Sequence, residues 1–196
     1  MQNLRKLILT FTLVVGLMFP STSVFASNFH LILGADYVNP HVKYNNNKDA
    51  KNTEKPESNY HGYSPVIGIS AYGISLEAFV LNTPTKEKDS IETKIRAYGF
   101  DIIGEANLSD NFTVLASLGL AKYEFNTKNK NKNQASFIKT KADDSNDGPR
   151  FGIGLQYYIS RNLAIRAMYH YTLLNSGEKD LYDAVSEFSA GLRLYF

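Results

Sequence analysis

The chain has 196 residues, 21 Lys and Arg against 19 Asp and Glu, and no cysteine, which rules out a disulfide framework, a thiolate metal site and a catalytic cysteine. The near-neutral balance offers no electrostatic footprint for nucleic acid. Tyr and Phe are plentiful at 13 and 12. Beyond the first 26 residues, however, no apolar run approaches the roughly 20 needed for a membrane-crossing helix, so any crossing must be made by strands.

The opening segment "MQNLRKLILTFTLVVGLMFPSTSVFA" places Arg5 and Lys6 before an apolar run from Leu7 to Phe19, a Pro-Ser break and the small-residue site Val24-Phe25-Ala26. This is the layout of a secretory signal peptide, too short for a helical anchor. Residues 1–26 are therefore read as leader and 27–196 as a single domain. Losing Arg5 and Lys6 leaves 19 basic and 19 acidic residues, and no cysteine is present to carry a lipid.

Period-two alternation then recurs in about eight segments of the ~10-residue kind expected of membrane strands. Leu31, Leu33, Ala35 and Tyr37 oppose Ile32, Gly34 and Asp36, and Ile67, Ile69 and Ala71 oppose Val66, Gly68 and Ser70. Pro65 weakens the start of that second segment, since proline inside a strand implies an edge, a bulge or a first residue. Ile74, Leu76, Ala78 and Val80 oppose Ser75, Glu77 and Phe79. In the fourth segment Tyr98, Phe100 and Ile102 oppose Gly99, Asp101, Ile103 and Glu105, with Arg96 on the apolar side near one end. Val114, Ala116, Leu118 and Leu120 follow, and then Phe151, Ile153, Leu155, Tyr157 and Ile159. The penultimate segment sets Ile165, Ala167, Tyr169 and Tyr171 against Arg166, Met168, His170 and Thr172, and the last sets Phe188 to Phe196 against Glu187, Ser189, Gly191, Arg193 and Tyr195.

Connections alternate in length. "AYG", "NLSDN" and "ISRN" are short, whereas Asn39–His61, Asn82–Thr93, Tyr123–Gly148 and Asn175–Ala184 are long, polar and read as loops. Short turns at one end and long loops at the other are the habit of up-and-down membrane barrels.

The charges indicate which face is enclosed. The lysines fall in loops or at strand ends, while strand interiors carry Asp36, Glu77, Asp101, Glu105, Arg150, Arg166 and Arg193 with His170. Arginine among carboxylates suits desolvated pairing, because the planar guanidinium donates two parallel hydrogen bonds. Glycines on the same face leave room for long side chains. A basic residue facing mid-bilayer costs about 2–4 kcal/mol, and the apolar face has only Arg96, within snorkelling reach of an interface. Tyr37, Tyr63, Phe112, Tyr157, Tyr171 and Phe196 lie near its ends, where aromatic girdles form. The expected fold is an all-β, eight-stranded antiparallel up-and-down transmembrane β-barrel, apolar outside, in preference to an inside-apolar secreted barrel.

The terminal octet "SAGLRLYF", with Ser189, Gly191, Leu194 and Phe196, resembles the C-terminal assembly signal of bacterial outer-membrane barrels, and "NLAIRAMYHYTLLNSG" is similar to their penultimate strand and loop. From Ser27 to Phe196 the chain resembles the small barrels of OmpA-like, OmpX-like and opacity-like surface antigens. The resemblance implies insertion by the barrel-assembly machinery, contact with outer-membrane lipid and lipopolysaccharide, a monomer, and a surface-antigen or adhesin-like role in which the loops meet a host or environmental ligand.

The inward charges are expected to form a salt-bridge plug, with a narrow porin-like channel as the alternative. Lys128, Lys130 and Lys132 in "NTKNKNKNQ" are the candidate loop contact for anionic glycans, set against the plainer reading of a solvated loop. "DDSNDG" offers Asp143, Ser145, Asp147 and Gly148 at calcium-loop spacing, but Gly154 stands where the closing glutamate belongs, leaving a hydrated loop. A lipid-modifying enzyme is a second alternative: His170 and Thr172 have the spacing of a His–Ser pair, yet no orienting third group is identifiable. No cofactor, metal or nucleic acid is expected.

Overall fold

The computed structural model describes residues 29–44, 58–88, 91–129, 141–175 and 182–196; residues 1–26, read as a leader, lie outside them. Its strands are β1 (Phe29–Tyr44), β2 (Gly62–Ala71), β3 (Ile74–Asn82), β4 (Lys86–Lys88), β5 (Ile91–Asn107), β6 (Phe112–Asn129), β7 (Lys141–Ser160), β8 (Leu163–Leu173) and β9 (Tyr182–Tyr195). Neighbours pair antiparallel, β1 pairs β9, and β3 pairs β5, so the sheet closes into an eight-stranded barrel in which short β4 continues the line of β3. Pro84, without an N–H, interrupts that line, and Thr83 bridges the break by exchanging bonds with Ile95: its backbone N–H donates to the carbonyl at 3.0 Å and its Oγ1 accepts from the amide at 2.9 Å.

At one end the turns are tight. Tyr72 and Gly73 both take positive φ, 55° and 75°, which suits a two-residue hairpin between right-twisted strands. β1 starts and β9 finishes at this same end, where Leu31 and Phe196 exchange backbone bonds of 3.1 and 3.0 Å.

Within the lower barrel the predicted faces hold. Leu31, Leu33, Ile67, Leu118, Ile153 and Leu192 are exposed outward, while Ile32, Glu77, Asp101, Arg150, Arg166 and Arg193 are buried inward. Toward the long-loop end the sense reverses without a break in register. On β6 the outward residues run Leu118, Leu120, Lys122, Glu124, and the inward ones Ser117, Gly119, Ala121, Tyr123, Phe125. Greasy-out becomes greasy-in between Leu120 and Ala121. β5 does the same at Tyr98/Ala97, and Val38, Val42, Leu81, Ile95, Leu174, Tyr182 and Val185 join one apolar cluster in the upper lumen. Phe125 stacks on Tyr182 at 3.8 Å between ring centroids.

This reversal corrects the loop assignments. Tyr123–Gly148 is largely ladder, pairing Tyr123 with Asn146 and continuing to Lys128 with Lys141. β1 runs to Tyr44, β4 and the start of β5 occupy part of Asn82–Thr93, and β9 begins at Tyr182. Lys94 and Lys122, read as strand-end residues, lie well inside β5 and β6. Pro65 lies inside β2, not at its start; the β2–β3 pairing is interrupted at Ser64 and Pro65 and resumes in unchanged register.

Because Phe125 is packed on all sides, Phe125→Ala should lower the unfolding free energy in micelles by about 3–5 kcal/mol, while Asn126→Ala next to it changes it by under ~0.5 kcal/mol. Urea titration followed by tyrosine fluorescence reads both. Equal effects would show that the upper section is not a packed core.

Candidate functional site

The inward side chains stack in three levels. At the short-turn end lies a vestibule of about 790 Å³, lined by His30, Glu105, Asn107, Tyr158, Arg161 and Tyr195. Its floor is the small apolar group Ile32, Ala164 and Tyr195, with Tyr158 packed against it.

Above the floor is an ion-pair belt with two nodes. In the lower, Arg193 grips Asp36 with both terminal nitrogens, at 2.6 and 2.9 Å, and its Nε donates to Glu77 at 3.2 Å. Glu77 also accepts from Arg166 Nη1 at 2.7 Å, and Arg166 Nε donates to Gln156 Oε1 at 2.8 Å. The Tyr195 hydroxyl donates to the same Gln156 oxygen at 3.1 Å. One continuous chain thus crosses from β1 through β9, β3 and β8 to β7.

The upper node centres on Arg150. Its Nη1 meets Glu187 at 2.8 Å, its Nε lies 3.3 Å from Asp101, and its guanidinium stands 4.3 Å over the Phe79 ring. The Tyr123 hydroxyl donates to the other Glu187 oxygen at 2.6 Å, and His170 Nε2 lies 3.7 Å from Asp101. Glycines make these crossings fit: a Cβ at Gly191 would collide with Asp36, one at Gly119 with Asp101, and one at Gly34 would come within 2.7 Å of Arg193 Cδ. Tyr123 and Phe79 pass directly into the apolar cluster, the third level. Between the levels the enclosed cavity is about 30 Å³, far short of a continuous path.

Of the predicted luminal residues, Asp36, Glu77, Asp101, Arg150, Arg166, His170 and Arg193 converge in this belt. Glu105 does not. It is at the vestibule, where it accepts from Ser75 at 2.7 Å and from Tyr158 at 3.5 Å, and no ion pair reaches it among the described residues. Glu187, Tyr123 and Gln156 are the additions. Glu187 and Gln156 already fell on the inward set of their strands, whereas Tyr123 was hidden in an assumed loop. Among the described residues the luminal ion pairs are thus confined to mid-height, with Glu105 apart from them.

On β9 Ser189 and Gly191 face inward and Leu194 outward, and Phe196, just past the strand, is exposed. Tyr37 and Tyr63 meet edge to face at 5.7 Å on the outer wall, and Phe112 pairs with Tyr157 near the opposite rim. His170 and Thr172 both point into the lumen, away from the outer surface, with Thr172 Oγ1 3.3 Å from the Tyr123 hydroxyl. "DDSNDG" belongs to β7 rather than to a hydrated loop, and no metal-ligating group of side chains forms among the described residues. Lys130 and Lys132 lie outside the described residues, as does the Lys128 side chain.

Residues 11–196 match the outer membrane protein beta-barrel domain. The chain belongs to that family. It is therefore a protein of the bacterial outer membrane. Among solved structures it is similar to Ail of Yersinia pestis, the attachment invasion locus protein, in complex with the heparin analogue sucrose octasulfate (TM-score 0.58, 16% identity, 86% of this chain and 99% of that one). Neisserial surface protein A (0.56, 15%, 86% and 97%) and OprG of Pseudomonas aeruginosa (0.54, 10%, 86% and 96%) share the same fold. No curated protein sequence matches the chain.

Breaking a buried pair strands its partner, so Arg166→Met should cost this outer-membrane barrel about 3–5 kcal/mol. Adding Glu77→Gln should restore part of that loss, because Arg193 keeps Asp36 and the orphaned charge is gone. Additive losses in a double-mutant cycle of urea midpoints would contradict the coupling.

Proposed function

We propose that this protein is a sealed, non-enzymatic surface barrel whose extracellular wall and loops contact anionic ligands of a host or of the surroundings. The observation that carries the reading is the double closure of the lumen among the described residues: a belt of paired charges, holding a cavity of about 30 Å³, backed by an apolar layer. A pore needs a connected polar path, and an apolar constriction resists wetting even where charges lie nearby. A catalytic reading has little to stand on, because His170 and Thr172 are buried in that plug and face away from lipid. Export through the leader of residues 1–26, and presentation of the last strand to the assembly machinery by Ser189, Gly191, Leu194 and Phe196, belong to the same proposal.

The wall supports the surface role. β5, β6 and β7 have 17, 18 and 20 residues where β2 and β3 have 10 and 9, so these three form the longest laddered stretch of the wall. In sequence, the segment with Lys128, Lys130 and Lys132 begins at the end of β6. Ail, which shares the fold, was crystallised with a polysulfated heparin analogue; we carry the class of ligand, not the site, to this chain.

Purified protein should give no stable openings in a planar bilayer, and Arg150→Ala with Glu187→Ala should stay silent because the apolar layer above remains. Ion-selective openings from the unaltered protein would overturn the seal. Changing Lys128, Lys130 and Lys132 together to Gln should reduce retention of intact expressing cells on immobilised heparin at least severalfold, with gel heat-modifiability unchanged; equal retention would remove this loop from the proposal.

A further inference from the structure

The vestibule at the tight-turn end keeps one charge unanswered. Its acidic and guanidinium side chains are Glu105, Asp110 and Arg161. Asp110 and Arg161 stand exposed on the β5–β6 and β7–β8 turns, one of each sign at the rim. Glu105 differs from both: it lies on the inward face of β5, half-buried and without an ion pair among the described residues.

The surrounding backbone holds that carboxylate in place. The Glu105 amide donates to the Gly73 carbonyl at 2.9 Å, fastening β5 to the β2–β3 turn, and the Tyr158 amide donates to the Asn111 carbonyl at 2.8 Å. Glu105 Oε1 accepts from the Ser75 hydroxyl at 2.7 Å, but Oε2 has only the 3.5 Å bond from the Tyr158 hydroxyl. A carboxylate offers about four lone-pair positions. Acceptor capacity is therefore left over on a residue that lines the cavity.

Aromatic rings stand beside it. Tyr158 and Tyr195 lie 5.6 Å apart between ring centroids at a 44° tilt, and His30 is edge-on to Tyr195 at 6.2 Å. The Tyr195 hydroxyl is engaged below with Gln156 and Arg166, and Arg166 in turn is paired to Glu77. What the floor offers a ligand is thus ring surface, chiefly that of half-buried Tyr158.

A metal ion needs several ligating side chains, and no such group forms among the described residues. An unpaired carboxylate beside aromatic faces suits an alkylammonium instead, held by charge at its nitrogen and by ring contact along its substituents. The volume of about 790 Å³ matches a small-molecule pocket and far exceeds what a bare ion requires. We infer that the vestibule is a binding site for one organic ammonium ion, its charge at Glu105 and its alkyl groups against Tyr158. The site is independent of what the loops contact and of which side of the membrane this end faces.

The test titrates the refolded barrel calorimetrically with choline chloride, in an uncharged maltoside detergent at about pH 8, where an unperturbed imidazole is neutral. Choline should bind saturably with one equivalent, and its uncharged carbon isostere, dimethylbutanol, about tenfold more weakly. Glu105→Gln should cut choline affinity about tenfold and Tyr158→Leu about fivefold, with folding read by heat-modifiable gel migration. Asp183→Asn, at the opposite end on β9, should bind as the unaltered protein does. The isostere comparison needs no substitution, so it decides the matter even if Glu105→Gln fails to refold. Equal affinity for the isostere, undiminished binding by Glu105→Gln, or displacement of choline by an equal concentration of calcium or sodium chloride would each overturn the ammonium site.

Discussion

Hydrocarbon offers no partner to a peptide N–H or carbonyl, and each such group left unpaired there costs several kcal/mol. For a sheet the only remedy is to have no edge. In this protein β1 answers β9 from Ile32–Tyr195 to Tyr44–Tyr182, and β3 answers β5 from Ile74–Gly104 to Asn82–Arg96. The other features follow from that closure. Eight strands enclose a space only as wide as side chains can fill, so whatever points inward must pack, pair or leave a hole. At mid-height the solution is arginine with carboxylate. Arg193 and Arg166 share Glu77, Arg150 joins Asp101 to Glu187, and the glycines beside them keep the backbone out of the way.

Buried ion pairs are weak stabilisers in themselves, so the belt's significance is geometric. Its members come from β1, β3, β5, β7, β8 and β9, and every pair but Arg193–Asp36 ties strands that are not hydrogen-bonded neighbours, as Glu77 of β3 does with Arg166 of β8. Above it the barrel meets water outside instead of lipid, and the apolar side chains move inside. The lower barrel has the hydrophobic sense of a membrane protein and the upper barrel that of a soluble one, built from the same uninterrupted strands. Tyr123 joins the two regimes: its hydroxyl bonds Glu187 in the belt while its ring packs among apolar neighbours.

That reversal also explains what the sequence made legible. Alternation of Leu33, Ile67, Leu118 or Ile153 with glycine and charge identifies strand, face and closure, because lipid outside and pairs inside leave opposite marks on successive residues. The belt was readable nearly residue by residue, since an arginine or carboxylate inside a strand has few other places to be. Past Leu120 the mark inverts: Lys122, Glu124 and Asn126 take over the outward positions, and with asparagine and lysine dense around them the segment looks like loop. Tyr123 and Phe125 were lost for that reason, although their own period-two spacing persists. Glu105 was misplaced because alternation gives a side and not a height; only pairing with Leu115 sets it near the turn, beyond reach of the arginines.

The inversion row has a mechanical consequence as well. Sinking by one residue pair would drag Arg96 and Lys122 among acyl chains, and rising by one would lift Tyr37 and Leu120 into water, so either displacement is uphill. The molecule therefore carries its own depth gauge. Since β6 and β7 remain laddered all the way to Lys128 and Lys141, the gauge also sets how far that ladder extends from the membrane.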